Sequence, residues 1–154
     1  MDSLIQDESE AFSLEQNRLK DIVISDSPLS NSFRNNAAEI KKIGWNPDAI
    51  VLNWSFFAKP NHPILRLAIQ SIIENHEYFL DRQFENVHSA IVNFSGPILL
   101  TQAVWKYLLG GGRVNVCGRD FDGKATFKSV PRLSNYRQSP HSTDLKNAII
   151  LQSK

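Results

Sequence analysis

The sequence predicts a mixed α/β domain, and three observations point there. Short apolar or alternating runs of strand length recur along the chain. Amphipathic segments with helix-start chemistry lie between them, and glycines mark two of their ends. Apolar residues make up 42% and charged residues 21%, as in a globular chain able to fill a core. Strands alternating with helices argue for an α/β or α+β layer arrangement.

In chain order, Ala11 to Leu14 reads as a short strand leading to Glu15. Ser25, Asp26, Ser27, Pro28, Ser30 and Asn31 read as a loop rich in turn formers. Asn36 to Ile43 predicts a short helix closed by Gly44. Ala49 to Asn53 reads as a buried strand, and the apolar run continues through Trp54, Phe56 and Phe57. A helix opens at Asn61–His62–Pro63, with Asn61 as N-cap and Pro63 in the first turn. Its expected core face is Leu65, Ala68, Ile69, Ile72 and Ile73. A second helix opens at Ser95–Gly96–Pro97 and runs to about Leu109, where three glycines end it. Arg113 to Cys117 alternates like a strand, and residues 125–130 and 147–151 are further strand candidates.

At 154 residues, one domain is expected. Residues 1–110 form its main part and residues 111–154 a β-rich extension of it. Net charge is +1, which offers no bulk attraction to nucleic acid or membrane. From Gly111 onward there are eight Lys or Arg against three Asp. These basic residues are scattered and match no nucleic-acid motif. A lone cysteine, Cys117, has no partner for an intrachain disulfide and reads as a small buried apolar residue. No secretory leader pattern opens the chain, and no apolar stretch nears the roughly 20 residues that span a bilayer. A cytoplasmic protein, peripheral to an inner membrane at most, is expected.

Two motifs carry more than fold. One is Asn53–Trp54–Ser55–Phe56–Phe57–Ala58–Lys59–Pro60–Asn61–His62–Pro63 with the helix behind it. The other is Asn93–Phe94–Ser95–Gly96–Pro97–Ile98–Leu99–Leu100–Thr101. The ordered set resembles the C-terminal half of glycosyltransferase family 32-like enzymes, which include capsular and lipopolysaccharide sugar transferases and relatives of fungal initiating mannosyltransferases. The resemblance covers roughly Leu4 to Leu108. It implies the C-terminal portion of a nucleotide-diphospho-sugar transferase (GT-A-like) fold, a nucleotide-sugar donor and a glycan or lipid-linked acceptor. It also implies retention of anomeric configuration and a Mn²⁺ or Mg²⁺ ion held by an Asp-x-Asp pair. The segment from Asp2 to Glu15 resembles the stretch immediately downstream of that pair in the family. The expectation is therefore that Met1 falls just past it, leaving the N-terminal half of the sheet and the metal site outside the sequence. An upstream half or a partner subunit would then complete the enzyme.

Asp120–Phe121–Asp122 spells the motif literally but lies after the Gly-Pro helix instead of before it. Flanked by Gly118 and Gly123, it reads as a turn, and a metal role is disfavoured. Asn53, at a strand end, is a cleft candidate or a turn former. His62 reads first as a helix-capping ring and second as a neighbour of the sugar-nucleotide cleft. Gly96 and Pro97 start a helix whose N–H groups suit an anionic or hydroxyl-rich ligand. Thr101, one turn on, bonds backbone or ligand. His141 and Arg137 read first as an exposed loop and second as candidates for a cation or diphosphate contact, though no Trp comes after His141 as the family pattern has it. Trp54 reads as core, with stacking on a base or sugar ring as the alternative. His76, Trp45 and Trp105 suggest no function. Two functional readings stand: a sugar transferase or its C-terminal piece, and a non-catalytic glycan-binding or subunit-interaction module on the same scaffold.

Overall fold

A computed structural model describes residues 10–118 of the chain. Among them the elements run β1 (Glu10–Glu15), α1 (Leu19–Ile22), α2 (Pro28–Lys42), β2 (Ile50–Ala58), α3 (Pro63–Phe79), α4 (Val87–Phe94), α5 (Pro97–Leu109) and β3 (Val116–Cys117). The architecture is mixed α/β. Within the described residues the sheet order is β2-β1-β3, with β2 antiparallel and β3 parallel to the central β1. The strand candidates at 125–130 and 147–151, and most of the 111–154 extension, lie outside the described residues.

The β1–β2 ladder is irregular at its centre. Phe12 pairs with Phe56, but Leu14 pairs with Val51. Residues 52–55 of β2 thus lie against Ser13 alone, a bulge that bends the strand and redirects its side chains.

Helix α2 starts earlier than expected. Ser27 is its N-cap, accepting the Ser30 N–H at 3.2 Å, and Pro28 is its first residue. The polar residues expected to form a loop are a cap and a first helical turn. Gly44 ends the helix as predicted. It adopts φ +87°, the Gly44 N–H donates to Lys41 O, and the Trp45 N–H donates to Ile40 O, which is a Schellman closure.

Helix α3 begins where expected but differs in two respects. Its N-cap is His62, while Asn61 takes the left-handed turn before it at φ +62°. Its core face is Ile64, Ser71, Asn75 and Phe79. Ile69 and Ile73, expected inside, are 61% and 64% exposed. Rotation is set from the far side: the Lys106 ammonium donates to Ser71 Oγ and pairs with Glu74, both at 3.2 Å. This lysine also holds the Glu74 carboxyl below its usual range. At the C-terminal end of α3, the Tyr78 hydroxyl donates to Asp26 at 2.7 Å, and the Arg82 guanidinium lies 4.0 Å from the Tyr78 ring centre.

Helix α5 is the centre of the fold. Pro97 to Trp105 are buried without a break. One side of α5 gives Ile98 and Trp105 to a core with Leu29, Phe33, Ile40, Ile50 and Leu52. The other gives Leu100, Ala103 and Val104 to a core with Phe12, Leu14, Val51 and Ile64. Strand β2 feeds the two cores with alternate residues, as its period of two requires. Helix α4, absent from the sequence-based expectation, closes over the start of α5. Asn93 fastens it: the side chain accepts the Ile24 N–H at 2.9 Å and donates to Ile22 O and Ser89 O, each at 2.8 Å. No helix among the described residues is long and apolar enough to cross a membrane.

Two substitutions test this core. A methyl group at Gly96 would sit 2.8 Å from Val92 Cα, so Gly96→Ala should cost about 1–3 kcal/mol. Thr101→Val removes the partner of the buried Val51 N–H and should cost about 1–3 kcal/mol. Urea unfolding measures both, and an unchanged midpoint in either variant contradicts the packing described.

The Tyr78 phenol offers a pH test. Burial foremost, and the Asp26 bond second, push its pKa from 10.0 up to about 12. The fold favours the neutral phenol. Its contribution is therefore complete below pH 10.0 and is lost as pH rises through about 12. Ultraviolet titration should show a late-ionising phenol that Tyr78→Phe removes.

Candidate functional site

A cavity of about 320 Å³ opens above the β2 bulge. Strand β2 contributes Ile50 and Trp54 to its wall. The turn from β1 into α1 contributes Glu15, Arg18, Asp21 and Ile22. The start of α4 brings Asn86, His88 and Ser89, and its last turns bring Val92 beside Pro97 of α5. The floor is apolar and the rim is polar, as in small-ligand clefts.

Each wall arises from a local feature of the chain. The bulge leaves Trp54 51% exposed, in contrast to the core position the sequence suggests. Asn86 is the N-cap of α4, its side-chain oxygen accepting the Ser89 N–H at 3.2 Å. Arg18 precedes α1, and its guanidinium lies 3.8 Å from Glu15 on the surface. That pair is exposed enough to contribute less than about 1 kcal/mol. Pro97 reaches the cavity because Gly96 lets the end of α4 close onto the start of α5.

The residues singled out by sequence divide into four groups. Pro97 forms part of the cavity wall, whereas Asn53, exposed next to Trp54 on the bulge, is not among the residues that line it. His62, Gly96 and Thr101 are absorbed by the fold. The His62 ring is buried, with Nδ1 accepting the Ile64 N–H at 3.2 Å. Nε2 must then carry the proton, which it donates to the buried Glu10 carboxylate at 2.9 Å. The ring also packs edge-on to Tyr107, with centroids 5.5 Å apart. Thr101 is fully buried. Its hydroxyl donates to Pro97 O at 2.7 Å and accepts the Val51 N–H at 2.8 Å. Arg137, His141, Asp120 and Asp122 lie outside the described residues.

Glu15, Arg18, Asp21, Asn86, His88 and Ser89 carry no functional signal in the sequence, because they meet only through tertiary packing. Among the described residues, no three His, Cys, Asp or Glu side chains converge in a way that could hold a metal ion. The cation implied by the resemblance therefore finds no donor set there, and no chemical step is routed through it. What the cavity can do is bind. A half-exposed indole offers a flat apolar face, while Glu15 and Asp21 offer acceptors for hydroxyl groups.

Comparisons with models of protein families, with curated proteins and with solved structures found no match.

The exposure of Trp54 has a direct readout. Trp105 is 3% exposed and Trp45 is half-buried, so Trp54 should dominate quenching of the emission by acrylamide. Trp54→Phe should remove most of the quenchable fraction. Equal quenching in both proteins contradicts the exposed placement.

Proposed function

We propose that the chain is part of a sugar transferase that uses a nucleotide-sugar donor, and that the cavity above the β2 bulge holds a sugar. The observation that carries this reading is the half-exposed Trp54 at the wall of a cleft rimmed by Glu15 and Asp21. Pyranose rings have an apolar face and a belt of hydroxyls. An indole beside carboxylates meets both, the first by stacking and the second by charge-assisted hydrogen bonds. The ordered motifs around Asn53, His62–Pro63 and Gly96–Pro97–Thr101 support the same class by resemblance.

In this reading the chain supplies the acceptor side and one wall of the donor cleft. Its residues bind and orient the accepting sugar, which contributes through positioning. The bulge sets the indole, and α4 and α1 set the polar rim. Cation and donor chemistry belong to the Asp-x-Asp element that the resemblance implies.

One observation favours the second reading, a non-catalytic glycan-binding module. His62 and Thr101, both part of the resemblance, spend their polar atoms on the fold itself. The same cavity would then bind glycan with no transfer.

Titration with neutral oligosaccharides and with nucleotide sugars, monitored by tryptophan emission, tests both. A saturable change with oligosaccharide is expected, weakened at least about tenfold by Trp54→Ala. Binding of a nucleotide sugar as well as oligosaccharide supports the transferase. Release of sugar from a donor by this chain alone in the presence of Mn²⁺ would contradict the assignment of cation and donor chemistry to an element outside it. Oligosaccharide binding with no donor binding supports the module. No saturable response to any sugar, or one indifferent to Trp54→Ala, rejects the cavity as the site.

A further inference from the structure

The outward face of α3 is largely apolar, with the exposed His76 as the polar member of its stripe, and nothing among the described residues covers it. Ile69 and Ile73, one turn apart, are 61% and 64% exposed. Leu65 and Ile72 extend the stripe on one side and are only partly buried. Positions 65, 69, 72 and 73 fall within one face of the helix, on the side away from Ile64, Ser71 and Asn75. Rolling this stripe inward would expose Ile64 and Phe79, both fully buried, and would break the contacts of Lys106 with Ser71 and Glu74.

The charges beside the stripe decide what can cover it. Arg66 and Glu77 are eleven residues apart, about three turns, so they share one edge of the stripe near its opposite ends. Both are exposed, and neither has an ion-pair partner among the described residues. A two-fold axis through the middle of α3 lays a second copy antiparallel. Ile69 then meets Ile73 of the other copy, and Arg66 meets the other copy's Glu77, at both ends of the seam. A parallel pair fails this match, since it sets Arg66 and Glu77 against the uncharged edge formed by Ala68 and Ile72. A bilayer is also a poor partner, because Glu74 and Glu77 lie on the polar side where a membrane helix carries Lys and Arg.

We propose that α3 is a self-complementary contact face, on which two copies of this chain pair through antiparallel α3 helices. The contact is isologous, so every interaction occurs twice. It is independent of the sugar-binding reading.

Sedimentation across a concentration series tests the pairing on the whole chain. A reversible monomer–dimer equilibrium is expected. Ile73→Glu should raise its dissociation constant by about a hundredfold or more, since each lost contact counts twice. Ile73 is exposed, so the variant should fold, and circular dichroism checks that it does. Arg66→Glu alone should weaken the dimer, and the double variant with Glu77→Arg should restore it. Four outcomes overturn the proposal. They are a chain monomeric at every concentration, a dimer indifferent to Ile73→Glu, a charge reversal that the second reversal fails to rescue, and a monomer that binds anionic vesicles through this face.

Discussion

The Thr101 hydroxyl is the joint on which the rest of the structure depends. It donates to Pro97 O within α5 and accepts the Val51 N–H from β2. Helix α5 is buried along nine consecutive residues, so it has almost no polar surface with which to hold a strand in register. This one side chain supplies it. The bond lies at the lower border of the bulge, where Val51 regains its pairing with Leu14. Above it β2 bends, and Trp54 leaves the core. In a low-dielectric interior, a satisfied N–H adds modest stability, but an orphaned one costs more. The joint therefore acts mainly as a constraint on register.

A second constraint ties the other end of the sheet. Glu10 accepts from the His62 ring and from the Asn115 N–H, which brings β1, the start of α3 and the approach to β3 together. The His62 ring does two jobs, since its other nitrogen caps α3. Buried polar pairs of this kind are poor sources of net stability and strong selectors of geometry, because a broken partner leaves a buried polar group stranded. The two constraints leave the cavity side of β2 to be shaped by α1 and α4.

What the sequence reveals depends on the range of the interactions involved. Helix starts at His62–Pro63 and Gly96–Pro97, and the Gly44 stop, are local chemistry and are legible. Helix α4 is eight residues long, too short for its period to stand out, and its cap at Asn86 resembles any turn residue. The Ser27–Pro28 start reads as a loop because the first turn of α2 is polar. Ile69 and Ile73 read as core because periodicity marks an apolar face without saying whether anything covers it. The bulge is a register effect between strands distant in sequence, so nothing local moves Trp54 from core to cavity. The cavity draws its wall from separate stretches of chain, and only Trp54 and Pro97 among its members stand out in the sequence.

The exposed indole and the polar rim of the cavity rest on one central claim. The Thr101 hydroxyl holds β2 so that the strand is fixed at Val51 and bulged above it. Amide hydrogen exchange resolved by residue tests that claim most directly. The Val51 amide should exchange only with global unfolding, as slowly as the amides of the α5 interior, while the amides of Asn53 and Trp54 exchange faster. A Val51 amide that exchanges as readily as those of the bulge would contradict it, since the strand would then be free to slide and the cavity would have no fixed wall.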